Sequence, residues 1–188
     1  MKRANTHVAI VLDNYFEQIE FESPLGALKD KGIAVTVMTT HDKKTLQAMQ
    51  HAKPGSTFVA DLFLREAKMD DYDAIVLPGG VINADKLRMD ETARAWVIEF
   101  LDSDRLVAAI CHAPWLLVSA DCVEERRLTS YYTLQDDIRN AGGEWIDQPV
   151  IVDGNLLTSR KPDDLEQFNT AILEWLDHDS LKPKLRAG

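Results

Sequence analysis

The stretch Leu106-Val107-Ala108-Ala109-Ile110-Cys111-His112-Ala113-Pro114 runs from a continuous apolar segment through a cysteine into a proline. Five apolar residues without alternation suit a strand buried on both faces. Proline is favoured in the first turn of a helix, so a helix is expected to open at Pro114. Cys111 then falls on a sharp turn between strand and helix. Such a nucleophile elbow admits only small residues two positions before and after the nucleophile, and Ala109 and Ala113 meet that demand. The turn aims the sulfur out of the sheet, toward the free N–H groups of the following helix, which favours a thiolate and a developing oxyanion. A free cysteine also packs well in a core. The turn, Pro114 and the adjacent His112 favour the chemical reading.

Outward from the elbow, short apolar strands alternate with helical segments, as in a mostly parallel sheet covered on both faces. Strands are expected at residues 7–12, 33–39, 73–77 and 106–110. Helices are expected at 92–101, from the elbow through Ser119, and at 133–141, where Gly142-Gly143 would cap the end. Ser23-Pro24 marks either a helix start or a kink, and Lys31-Gly32 a stop. Asp153-Gly154-Asn155 separates two short strands as a hairpin turn. Pro162 would open a last helix to about Leu176, with residues 181–188 as a loose tail.

A chain of 188 residues suffices for one domain, with a core spanning about 7–176, that needs no disulfide. The two cysteines, Cys111 and Cys122, fit free thiols in a reducing cytoplasm. The apolar run from Val8 to Leu12 is too short for a signal-peptide core or a membrane span. With 21 basic against 31 acidic residues the net charge is −10, which opposes binding to nucleic acid or to anionic lipid. The remaining histidines, His7, His41, His51 and His178, are scattered without a metal-ligand pattern, so no metal is expected.

Ligands of such sheets sit at the carboxyl ends of the strands. Asn14-Tyr15-Phe16-Glu17, Pro78-Gly79-Gly80 and Cys111-His112 all fall there and are expected to share one pocket. Glu17 reads equally as a solvated acid at a helix start or as a partly desolvated carboxyl that donates a hydrogen bond to Cys111 and moves a proton. Gly79-Gly80 lacks the spacing of a phosphate loop. The pair is either a tight strand exit or the place where the Gly80 N–H joins the His112 N–H in an oxyanion hole. Cys122 lies beyond the elbow helix and reads as structural.

Phe16-Glu17, Leu77-Pro78-Gly79-Gly80, Ala109-Ile110-Cys111-His112-Ala113-Pro114, Thr129-Ser130-Tyr131, the segment from Asp136 to Gly142 and the segment from Asp153 to Arg160 resemble the ThiJ/PfpI superfamily. The similarity spans about residues 7–176 and is most specific for the PfpI-type branch, in which histidine directly follows the cysteine. The resemblance implies a flavodoxin-like three-layer sandwich with Cys111 as nucleophile, Glu17 as its glutamate and His112 as the adjacent histidine. In the peptidase members an acid from a neighbouring subunit completes a triad. Asp85 is the best match, across a one-residue gap and with Asp in place of Glu. Ala113 departs from the family's usual Gly. The resemblance further implies a cytoplasmic homo-oligomer, a dimer or hexamer, that needs no cofactor. Its substrate would be a 2-oxoaldehyde or a peptide, handled as a glyoxalase III, a deglycase or an intracellular peptidase. The alternative is a non-catalytic redox-sensing or chaperone-like stress protein that uses oxidation of Cys111. A class I glutamine amidotransferase would need a later His-Pro-Glu, which the chain lacks.

Overall fold

The computed structural model describes residues 6–179. A tail at 181–188 lies outside them. The described chain runs β1 (His7–Leu12), α1 (Gln18–Asp30), β2 (Ala34–Thr39), β3 (Thr45–Gln50), β4 (Lys53–Val59), β5 (Leu62–Phe63), β6 (Ala74–Leu77), α2 (Val81–Leu87) and α3 (Glu91–Asp102). It continues through β7 (Leu106–Ile110), α4 (Pro114–Ser119), β8 (Arg127–Leu128), α5 (Gln135–Asn140), β9 (Glu144–Trp145), β10 (Val150–Asp153), β11 (Leu156–Ser159) and α6 (Leu165–Asp179). The strands expected around residues 7, 33, 73 and 106 are present within a residue or so. Pro24 sits inside α1 rather than at its start. The last helix begins as a short 3-10 turn at Pro162–Asp164.

The central sheet has the order β10-β11-β7-β6-β1-β2-β5, and its pairs are parallel except for the edge pair β10 and β11. Asp153-Gly154-Asn155 turns that hairpin, with Gly154 at φ 63°. Because side chains alternate across a strand, the two faces feed separate cores. Ala9, Val11, Ile75, Leu77, Val107 and Ala109 pack toward α2, α3, α4 and α5. Val8, Ile10, Val76, Leu106, Ala108 and Ile110 pack toward α1 and α6. This accounts for the unbroken apolar run before Cys111, whose strand is buried along its whole length.

From β1 the chain first adds β2 on one side, then crosses to place β6 on the other. A crevice opens at such a switch point, at the carboxyl ends of the strands. β7 lies beside β6, so the exits of β1, β6 and β7 are neighbours. The β3–β4 hairpin, which the sequence patterning did not announce, stands beside this crevice. It is tied on by Tyr15 N–H to Gln47 O at 2.8 Å and Met49 N–H to Phe16 O at 2.7 Å.

Candidate active site

Cys111 adopts φ 63°, a left-handed conformation uncommon for any residue but glycine. The surroundings hold it there. Its N–H donates to Ser159 O at 3.0 Å, and its carbonyl accepts from Tyr131 N–H at 2.8 Å. Pro114 opens α4 as expected. Ala113 is fully buried with ordinary right-handed helical angles, so its methyl group needs no glycine. The elbow is therefore present, and its strain sits at the candidate nucleophile.

Cys111 is 7% exposed and lines a cleft of about 690 Å³. The three segments expected to converge do so: Tyr15 and Glu17, Gly80, and Cys111 with His112 all line this cleft. The backbone N–H groups of Gly80 and His112 face the sulfur and lower its pKa. Burial opposes them and pushes the thiol well above its ordinary value, and Glu20 adds to the rise at pH values where it is ionised.

The carboxyl beside the sulfur is that of Glu20, which corrects the assignment of Glu17. Glu17 stands at the helix cap in extended conformation, φ −72° and ψ 117°, and bridges to Met49 of the hairpin. Its Oε2 accepts from His51 N–H at 2.9 Å, so the side chain anchors the hairpin at the cleft wall. One helical turn later, Glu20 is fully buried and interacts with the Cys111 thiol. Its Oε2 accepts from Gly79 N–H at 3.0 Å, while Oε1 is buried without a hydrogen-bond partner. Burial pushes its pKa up to about 8, which keeps the carboxyl neutral at pH 7. A sequence signal for it existed. Glu20, Phe21, Pro24 and Leu28 form the buried face of α1, and a lone acid on an apolar helical stripe demands an explanation.

The glycine pair is required by contact and by conformation. A Cβ on Gly79 would collide with the Glu20 carboxyl and lie 2.6 Å from Cys111 Cβ. Gly80 has φ 95°, and a Cβ there would lie 2.8 Å from Glu17 N. His112 places Nδ1 3.2 Å from Cys111 Sγ and Nε2 3.3 Å from the Thr133 hydroxyl. Its ring stacks on Tyr131 at 4.6 Å, and burial lowers its pKa, so the imidazole is neutral at pH 7. Asp85 is exposed on α2 and does not line the cleft, so within one chain the structure does not bring it to His112. Cys122 packs at the edge of the core with Sγ 3.3 Å from Ala120 O, and burial pushes its pKa up to about 11. Among the described residues no cluster of three His, Cys, Asp or Glu side chains is placed to hold a metal ion. None of their helices is long and apolar enough to cross a membrane.

Similar proteins place this arrangement in context. An uncharacterised protein of Archaeoglobus fulgidus is 40% identical over 169 residues, covering 90% of this chain and 97% of its own. An uncharacterised Staphylococcus aureus protein is 39% identical over 171 residues, with the same coverage. Among solved structures, a two-domain protein from Anabaena variabilis with DJ-1/ThiJ/PfpI-like and ferritin-like domains superposes with TM-score 0.85 at 33% identity. The match covers 98% of this chain but only about half, 52%, of that larger protein. Drosophila melanogaster DJ-1beta superposes with TM-score 0.84 at 26% identity, covering 92% of this chain and 90% of its own. The sequence also matches the DJ-1/PfpI family profile over residues 6–175. With that match over nearly its whole length and the mostly parallel sheet of the family's flavodoxin-like fold, the chain belongs to the DJ-1/PfpI family.

Proposed function

We propose that this protein is a cofactor-independent cysteine enzyme that attacks the carbonyl carbon of small 2-oxoaldehydes and converts them to 2-hydroxy acids. The observation that carries the reading is a neutral, buried Glu20 carboxyl against Cys111, with the Gly80 and His112 N–H groups on the same sulfur. A carboxyl that stays protonated to about pH 8 puts no negative charge beside the sulfur as it attacks and holds a proton ready for the oxygen that gains charge.

The Cys111 thiol passes its proton to the neutral His112 imidazole, whose Nδ1 lies 3.2 Å away, as the sulfur adds to the aldehyde carbon, and the resulting alkoxide takes the Glu20 proton to give a hemithioacetal. During this step the Gly80 and His112 N–H groups stabilise the negative charge. The Glu20 carboxylate then removes the hydrogen from the former aldehyde carbon, and the enediol is reprotonated on the neighbouring carbon. A 2-hydroxyacyl thioester results. Water, deprotonated by the Glu20 carboxylate, cleaves it while the His112 imidazolium returns its proton to the leaving sulfur, which frees the hydroxy acid and restores the thiol, the neutral Glu20 and the neutral imidazole. The net change is addition of one water to the oxoaldehyde. Peptide cleavage would also need an acid to orient His112, and within this chain the ring meets the Thr133 hydroxyl instead. That favours aldehyde chemistry over peptidase action.

The test is lactate formation from methylglyoxal by the wild type, Cys111→Ser and Glu20→Gln. Wild type should turn over and Cys111→Ser should not. Glu20→Gln should fall on the order of a hundredfold or more, because an amide keeps a donor but cannot exchange a proton. A wild-type protein with an alkylatable Cys111 but no lactate would overturn the reading in favour of a sensor.

A further inference from the structure

Asn83 is wholly buried on α2 and is absent from the cleft lining, yet its amide spans the two strand exits that build the site. Nδ2 donates to Pro78 O at 2.8 Å and to Gly79 O at 3.0 Å. Oδ1 accepts from the backbone N–H of Asp13, at the end of β1, at 2.6 Å. All three hydrogen bonds are buried, and losing the donor would take the amide partner from the Pro78 carbonyl and leave the Gly79 carbonyl with the Glu17 N–H.

The Gly79 carbonyl and the Gly80 N–H are the two ends of one planar trans peptide unit, and they point in opposite directions. Two donors hold the carbonyl end, Asn83 Nδ2 at 3.0 Å and Glu17 N–H at 3.1 Å. The opposite end thereby faces away from those donors and toward Cys111, whose Cβ lies against Gly79 and whose ionised form the Gly80 N–H favours. A glycine pair has little conformational preference of its own and could rotate this plane away. We infer that Asn83 is a positioning residue that locks the Gly79–Gly80 peptide with its N–H on the sulfur, so that it sets the ionisation of Cys111 without touching substrate. The inference builds on Cys111 as the reactive thiol, but not on the identity of the substrate.

Asn83→Asp keeps the acceptor for Asp13 N–H and loses the donors when ionised. Asn83→Ser is smaller and reaches neither carbonyl in the same way. The rate of Cys111 alkylation by iodoacetamide against pH reads the thiol directly. Both variants should shift that profile to higher pH and slow alkylation at pH 7 about tenfold, as loss of a hydrogen bond to a charged group implies. If methylglyoxal is a substrate, kcat should fall similarly with KM within about twofold. Leu87→Ala, also buried on α2, is the control for mere destabilisation and should leave the profile in place. Should neither Asn83 variant fold, the wild type still decides by NMR. The Gly80 amide proton should shift as Cys111 ionises, and should not in Cys111→Ser. An unmoved alkylation profile in a folded Asn83 variant, or a Gly80 amide indifferent to Cys111, overturns the inference. Failure of methylglyoxal turnover alone would overturn only the proposed reaction.

Discussion

The two thiols of this chain differ by surroundings rather than by residue type. Burial pushes both thiols up, Cys122 to about 11, but only Cys111 lines the cleft, with the Gly80 and His112 N–H groups turned to it and His112 Nδ1 3.2 Å away to take its proton. Iodoacetamide at pH 7 to 8 should therefore label Cys111 preferentially. Cys111→Ser should remove nearly all labelling, and Cys122→Ser should leave it within about twofold. Mass spectrometry of the alkylated peptides checks this, and equal labelling of both sites would end the assignment. The cysteine was legible in the sequence because a strand, a turn and a proline are local features. Its acid partner was not. Glu17 and Glu20 differ by one helical turn, and which carboxyl faces the sulfur depends on where α1 starts. The chain stays extended through Glu17 to bridge the hairpin, and that turns residue 20 inward.

Among the elements, the β3–β4 hairpin was the largest surprise. Thr45–Gln50 alternates over only four residues, Thr45 to Ala48, and Lys53–Val59 opens as Lys-Pro-Gly-Ser-Thr, so the pattern is too short to announce a hairpin. Contacts distant in sequence hold the hairpin at the cleft. Asn14 Oδ1 accepts from Gln47 N–H at 2.6 Å, Gln18 Oε1 from Ser56 N–H at 2.8 Å, and Glu17 from His51 N–H at 2.9 Å. Glu17→Ala should release the tip. Amide exchange in residues 49–53 should quicken and KM for a cleft-bound substrate should rise severalfold, while Cys111 alkylation stays within about twofold. Collapse of alkylation in this variant would restore Glu17 as the partner of the thiol. The Gly79-Gly80 exit shows the complementary case. Its residue types advertised a tight turn, but only the packing of β1 against β6 shows that Asn83 and Glu17 N–H clamp one peptide plane.

The burial of Glu20 has a consequence for the whole molecule. Its carboxyl ionises at about 8 in the fold and at the ordinary value of 4.5 when solvated. Between these values the native state holds a proton that the unfolded chain does not, so stability falls as pH rises. The contribution is intact below about pH 4.5 and is lost progressively up to about pH 8, by no more than roughly 5 kcal/mol. Thermal unfolding of Glu20→Gln should gain on the wild type from pH 5 to pH 9, and parallel curves would contradict a buried neutral acid. Assembly is the other property at this scale. Asp85 is exposed on α2, so it can orient His112 only from a second copy of the chain. We expect a homo-oligomer, a dimer or hexamer, in which Asp85→Ala lowers peptide cleavage more than oxoaldehyde turnover. Light scattering that shows a fully active monomer would leave Asp85 an ordinary surface charge. By itself the sequence determined the alternating strands and helices, the elbow cysteine and the convergence of three strand exits, because short-range periodicity and turn residues encode them. Only the tertiary structure decided that Glu20 is the buried acid, that the hairpin walls the cleft and that Asn83 braces Gly80. Those facts depend on packing between residues as much as 91 positions apart, Glu20 against Cys111, and no local pattern records which side chain such packing turns inward.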